Sequence, residues 1–275
     1  MAAIDFAPPP DLAATRALRG ALRVAARAGS VVALLVGWEL LARTGLLTPY
    51  QLPAFSAVLE RIGHEAVAGD LARNTMVTIG RAMLGFAIAA VGGIALGVAM
   101  SRLKLARWFF DPLVSIGFPM PKIAFLPVII LWLGVYNVSK LTMIVFDSIF
   151  PVIAATVLAL QGVERELVWS ARNMGASERE LLWQVMLPAA LPQIMTGLQV
   201  ALPLALIVAV LTEMLMGGYG LGAAMMTASR FANSVGVFAG IVEIAVIGYA
   251  LVKAMALLRR HLLIWHQEAA EPSGT

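Results

Sequence analysis

The side chains best placed to do chemistry are the charged groups standing inside long apolar stretches: Lys122, Asp147 and Glu213, with Arg81 nearby in sequence pattern. An ionisable group in such a stretch pairs with an opposite charge, faces a water-filled cavity, or marks the path of a solute. Asp147 precedes Pro151, where the backbone ladder is interrupted, and Glu213 precedes the glycine-rich turn 217–222. These two and Lys122 are the candidate path residues. Asp147 serves equally well as a structural partner of Lys122 or Arg81, and Glu213 as an architectural group at the mouth of its span. Glu39, Glu243 and Lys253 read as groups that pair or snorkel near helix ends. His64, His261 and His266 have no metal-ligand spacing with acids, and the chain has no cysteine, so thiolate catalysis, disulfides and cysteine-ligated metals are excluded. No nucleophile constellation or acid–base pair stands out, which argues against an enzyme, and G-x-x-x-x-G-K-[ST] is absent, so the chain binds no ATP in that manner.

The elements that must hold these groups are membrane spans. Apolar residues make up 60% of the 275 and charged ones 13%, with the charges gathered between apolar runs. Residues 83–100 and 189–211 are uncharged throughout, long enough at 1.5 Å per residue to cross a hydrocarbon core of about 30 Å. Residues 141–160 and 235–252 each carry one acid, Asp147 and Glu243. Residues 113–136 contain Pro119, Pro121 and Pro127 and predict a kinked or broken helix packed on protein. Residues 28–42 give a weaker first span behind Arg16, Arg19, Arg23 and Arg27; Glu39 and the lack of a small-residue cleavage site argue against a signal peptide. The fold class is therefore all-α, a polytopic membrane protein with about six spans.

Residues 1–27 and 267–275 read as tails, and 28–74 as the first span with an amphipathic helix over 54–72 on the outer membrane surface. With the tail, a 101–111 loop, the polar insert 163–188 and the C-terminal end on the cytoplasmic side, 13 basic residues lie inside against 5 outside. Both termini and the insert are thus expected in the cytoplasm. The net charge of +4 follows this membrane asymmetry, with no basic and aromatic run for nucleic acid.

In the insert, Val163, Leu167, Val168, Ala171 and Met174 recur at helical steps among Glu164, Arg165, Glu166 and Arg172. Gly175 stands where a left-handed residue ends a helix, Ser177 and Glu180 form a capping box, and Leu181, Leu182, Val185 and Met186 supply an apolar face. Pro188 marks re-entry into the next span.

The spacing of Ala171 and Gly175, then nine residues to Val185, Leu187 and Pro188, resembles the EAA loop of permease subunits of bacterial ATP-binding-cassette (ABC) importers. Trp169 and Ser170 replace that loop's Glu-Ala, and Glu166, one turn earlier, is the candidate substitute for the missing glutamate. Pro119 to Pro127, Leu131 to Gly134, Ser139 with Lys140, Phe150 with Pro151, Glu213 with Gly220 to Gly222, and Arg259 to Trp265 resemble the nitrate/sulfonate/taurine branch over roughly residues 70–266.

The resemblance implies a type I importer core over 75–266 in a bacterial inner membrane. It implies that Glu166, Ala171, Gly175, Val185, Leu187 and Pro188 contact an ATPase subunit. Expected partners are two copies of that ATPase, which would bind the ATP, a second permease copy as a homodimer, an extracytoplasmic solute-binding protein and the lipid bilayer. The chain itself would hold no cofactor. Expected solutes are nitrate, alkanesulfonates, taurine or a small aromatic compound. An ion-coupled secondary transporter or channel is the alternative class, with Asp147 and the broken 113–136 span as its coupling elements.

Overall fold

The computed structural model describes residues 29–264, and every regular element among them is helical. The tails before and after, with Arg16 to Arg27, His266 and the flanking segments read as tails, lie outside the described residues. In chain order the helices are α1 (29–43), α2 (Phe55–Ala68), α3 (Asp70–Arg102), α4 (Lys104–Gly117), α5 (Leu126–Leu133), α6 (Asn137–Gln161), α7 (Arg165–Asn173), α8 (Glu178–Glu180), α9 (Leu187–Met216), α10 (Leu221–Arg230) and α11 (Ser234–Leu262). Among the described residues four continuous helical stretches are long and apolar enough to cross a bilayer, α3, α6, the run Glu178–Met216 that contains α9, and α11, or five if the bent pair Lys104–Gly117 and Lys122–Leu133 counts as one span, against the six expected.

α3, α6 and α9 form the centre. Along α3 a stripe of small buried residues, Ala82, Gly85, Ala89, Gly93 and Gly97, falls at steps of three and four. Without larger side chains in that stripe the backbone of α3 comes close to α6, the device by which apolar helices pack where lipid supplies no hydrophobic drive. A Cβ at Gly93 would run into Val152, and one at Gly97 into Thr156. Ala82 of α3, Met143 and Ile144 of α6, and Ala205, Leu206 and Ala209 of α9 enclose a core shared by the three helices. α3 and α9 run antiparallel, since Thr78 near the start of α3 meets Glu213 near the end of α9, while Arg102 at the end of α3 reaches Met186 just before α9.

The proline-rich 113–136 region is a broken helix, as its composition predicts, but it is not packed on protein throughout: Leu131 and Trp132 are exposed. α4 ends at Gly117, a 3-10 turn covers Lys122–Phe125, and the axes on either side differ by 98°. Two other expectations change. Residues 101–111 are no loop: Leu103, extended with φ −108°, is the single break between α3 and α4, and the charges Lys104, Arg107 and Asp111 lie along a helix. The helix expected over 54–72 stops at Ala68, because Gly69 takes a left-handed φ of 85° and turns the chain into α3. Its apolar face also differs: Val58 is fully buried, whereas Val67 is exposed. α1 is fixed to α2 by Glu39, which accepts from the Ser56 backbone N–H at 3.0 Å and pairs with Arg43 at 2.6 Å, and by Trp38, which donates to the Pro53 carbonyl at 2.9 Å.

Candidate functional site

The polar insert folds as a helical hairpin. α7 ends in a Schellman arrangement: the Ala176 N–H donates to the Ala171 carbonyl at 3.1 Å and the Gly175 N–H to Arg172 at 2.9 Å. Gly175 has φ 85°, and a Cβ there would meet nothing within 4 Å, so it is the tip of a turn open to the outside. Ser177 then caps α8 reciprocally with Glu180: the Glu180 N–H donates to Ser177 Oγ, and the Ser177 N–H donates to Glu180 Oε2 at 2.8 Å. The second helix continues into α9 through a wide π-type turn, Leu181–Met186, with the Leu187 N–H reaching the Leu182 carbonyl.

Ala171 and Leu181 are buried where α7 meets that turn. Leu167, Trp169, Met174 and Trp183 point outward; Met174 is 79% and Trp183 64% exposed. Val185 and Leu187 are half-buried and Pro188 is exposed. The hairpin thus carries exposed apolar side chains on both of its arms. Its ionic anchor is Glu178, which the sequence reading did not single out: it pairs with Arg102 at the end of α3 at 2.5 Å and with Arg172 of α7 at 2.9 Å. The Arg102 hydrogen bond, with Arg172 beside it, holds the Glu178 carboxyl below its ordinary pKa of 4.5. Glu166, in the first turn of α7, is exposed and makes no ion pair among the described residues. The capping box signalled the acidic turn; nothing in the local sequence signalled that Arg102 would be its partner.

At the opposite end a polar clasp closes over Glu213. This side chain is wholly buried; Arg81 donates to Oε1 at 2.7 Å, Thr78 to Oε2 at 2.8 Å and the Gly222 N–H to Oε2 at 3.2 Å. Arg81 also donates to the Tyr219 carbonyl and to Asn137, and Lys140 donates to the Gly217 carbonyl at 2.5 Å. Gly220 is required, since a Cβ on it would fall on the Glu213 carboxylate. Lys122 and Asp147 meet separately, 3.4 Å apart, with the Lys122 ammonium also donating to the Phe118 carbonyl at 3.1 Å and lying over the Phe150 ring. The three candidate path residues are therefore all engaged with protein groups, in two places. Among the described residues no cluster of His, Asp and Glu is arranged to hold a metal ion.

Exposed apolar side chains on a hairpin at the end of a bundle of long apolar helices form a candidate docking face. The model of the family described as "binding-protein-dependent transport system inner membrane component" matches residues 75–263, well over half of the chain. The chain belongs to this family. Among relatives, it is 32% identical over 247 residues to the taurine transport system permease protein TauC of Escherichia coli strain K12, covering 87% of this chain and 89% of that one. It is 31% identical over 228 residues to a putative aliphatic sulfonates transport permease protein, SsuC, of Bacillus subtilis strain 168, covering 83% of each. The fold is that of a chain of the MetNI methionine ABC transporter in an inward facing conformation, with a TM-score of 0.64 at 18% identity over 72% of this chain and 98% of that chain. The binding-protein-dependent permease is thus a membrane-spanning subunit of an ABC importer, and the ion-coupled alternative falls away. The matched region includes the hairpin, the clasp and the Lys122–Asp147 pair, and starts after α2.

Proposed function

We propose that this permease passes a small organic sulfonate of the taurine and alkanesulfonate type into the cytoplasm, driven by a separate ATPase pair that grips the α7–α8 hairpin. The observation that carries the reading is the set of exposed apolar side chains on both arms of the hairpin, Leu167, Trp169, Met174 and Trp183, with the hairpin tied through Glu178 to the end of α3. Large apolar side chains exposed on an otherwise polar element mark a protein interface, and the link to α3 gives movement of that interface a route into the central helices. Glu166, Ala171, Gly175, Val185, Leu187 and Pro188 remain the coupling set, with Ala171 acting from beneath and Glu178 added as the anchor. Two permease copies, two ATPases and an extracytoplasmic binding protein complete the assembly. The sulfonate class is supported by the names of the relatives. Asp147, Lys122 and Glu213 shape the path by fixing the helices around it.

The test is uptake into vesicles holding the complete transporter and its binding protein. Taurine or ethanesulfonate uptake is expected to require ATP and to survive a protonophore. Gly175→Leu, whose side chain needs the unfavourable left-handed backbone and projects into the docking face, should cut uptake at least about tenfold while the chain still inserts. Full uptake by Gly175→Leu would overturn the docking role, and ATP-driven uptake that no sulfonate competes for would overturn the solute class.

A further inference from the structure

Glu243 takes no part in the hairpin, the clasp or the Lys122–Asp147 pair. It sits on the third turn of α11, 8% exposed, its Oε1 has no hydrogen-bond partner, and no ion pair reaches it among the described residues. An ionisable group held that way inside a span is costly and marks a site whose partner is to be named. Glu243 forms one wall of a crevice of about 380 Å³ between three helices: Ile62 and Ala66 come from α2, Thr75 from α3, and Val246 from α11. Apart from Thr75 and the glutamate itself the lining is apolar. The volume lies at the low end of the range for a small-molecule site.

Arg61 and Glu65 of α2, each next in sequence to the lining residues Ile62 and Ala66, pair with each other at 2.5 Å. Beyond the crevice, Met76 and Met83 of α3 and Tyr249 of α11 are exposed. A ligand that fits has a cationic donor for the carboxylate and an apolar chain for the lining.

We infer that this crevice binds an aminophospholipid, with its primary ammonium on Glu243 and one acyl chain between α3 and α11. Charge complementarity selects the headgroup: an ammonium satisfies a buried carboxylate by charge and hydrogen bond together, a trimethylated headgroup offers no N–H, and an anionic headgroup is repelled.

Native mass spectrometry of the purified full chain tests this, with phosphatidylethanolamine, phosphatidylcholine and phosphatidylglycerol of identical acyl chains as probes. Phosphatidylethanolamine should be retained about tenfold more strongly than the other two, the factor expected of one charge-assisted hydrogen bond. Glu243→Gln should remove that preference. Ala66→Phe, which fills the mouth and leaves the carboxylate in place, should weaken retention of phosphatidylethanolamine and decides the matter if Glu243→Gln does not fold. Equal retention of the three lipids by the unaltered chain, or undiminished preference in a folded variant of either kind, overturns the inference. Because the chain has no cysteine, Val246→Cys gives a clean second measurement: ready disulfide formation between two copies in membranes would show a protein partner over the crevice, and would overturn it as well.

Discussion

Glu213 illustrates what a single buried carboxyl group needs. Its two oxygens accept from Thr78, Arg81 and the Gly222 N–H, so α3, α9 and the start of α10 are joined at one point with no water required. Removing one member of a buried pair leaves the other uncompensated, which costs about 3–5 kcal/mol, whereas replacing both with apolar side chains costs far less. Glu213→Ala should therefore destabilise the purified permease by about 3 kcal/mol in thermal unfolding, and Arg81→Met combined with Glu213→Leu should recover much of the loss. A near-zero effect of the single change would show that the clasp does not hold the bundle. The acid itself was legible in the sequence, ahead of a run of glycines. Its partner was not, because Arg81 lies 132 residues earlier and only the antiparallel packing of α3 on α9 brings them together. The same limit applies to Asp147, for which the sequence offered both Lys122 and Arg81; the 98° break folds Lys122 back onto α6 and decides between them.

Among the elements, the hairpin was the most readable, since its signals are local. Gly175 at a left-handed position and Ser177 with Glu180 as reciprocal caps act within a few residues, and both form where the spacing places them. The wide turn over Leu181–Met186 was not readable as such, although its cause is visible afterwards. Pro188 has no N–H for the Gln184 carbonyl and its ring crowds that group, and a wider turn just upstream relieves the clash. The ionic anchor gives the hairpin a pH dependence. Because the folded-state pKa of Glu178 is lowered by its Arg102 hydrogen bond, the stability it contributes is complete above the ordinary value of 4.5 and disappears as pH falls through the lowered one. Spin labels at positions 107 and 176 should report one narrow distance at every pH above the ordinary carboxylate range and a broadened one only once the pH has fallen through the lowered Glu178 value. Glu178→Gln should give the broadened distance at neutral pH. A distance indifferent to both treatments would show that Arg102 and Glu178 do not hold the hairpin to α3.

On the scale of the whole molecule, the two ends of the bundle differ in charge in the way a membrane orientation demands. Arg102, Lys104 and Arg107 follow α3 into α4, Arg165, Arg172 and Arg179 lie in the hairpin, and Arg259 at the end of α11 donates to Gln199 on the early part of α9. Met195 and Leu202 of α9 pack with Met255 and Leu263, which fixes the end of α11 at the hairpin end of the bundle. These residues are far apart in sequence, yet the fold gathers them at one end, while the clasp end keeps its basic groups occupied: Arg81 on Glu213 and Arg73 over the Tyr219 ring at 3.9 Å. Basic residues near span ends are retained on the cytoplasmic side, so the hairpin end should face the cytoplasm and the clasp the exterior. A reporter active only in the cytoplasm, fused after Ser177, should be active, and the same reporter fused within 217–220 should be silent. The reverse pattern would invert the whole permease: it would place the hairpin's exposed apolar side chains beyond reach of any ATP-binding partner, and the coupling role of Gly175 and Glu178 would fall with it.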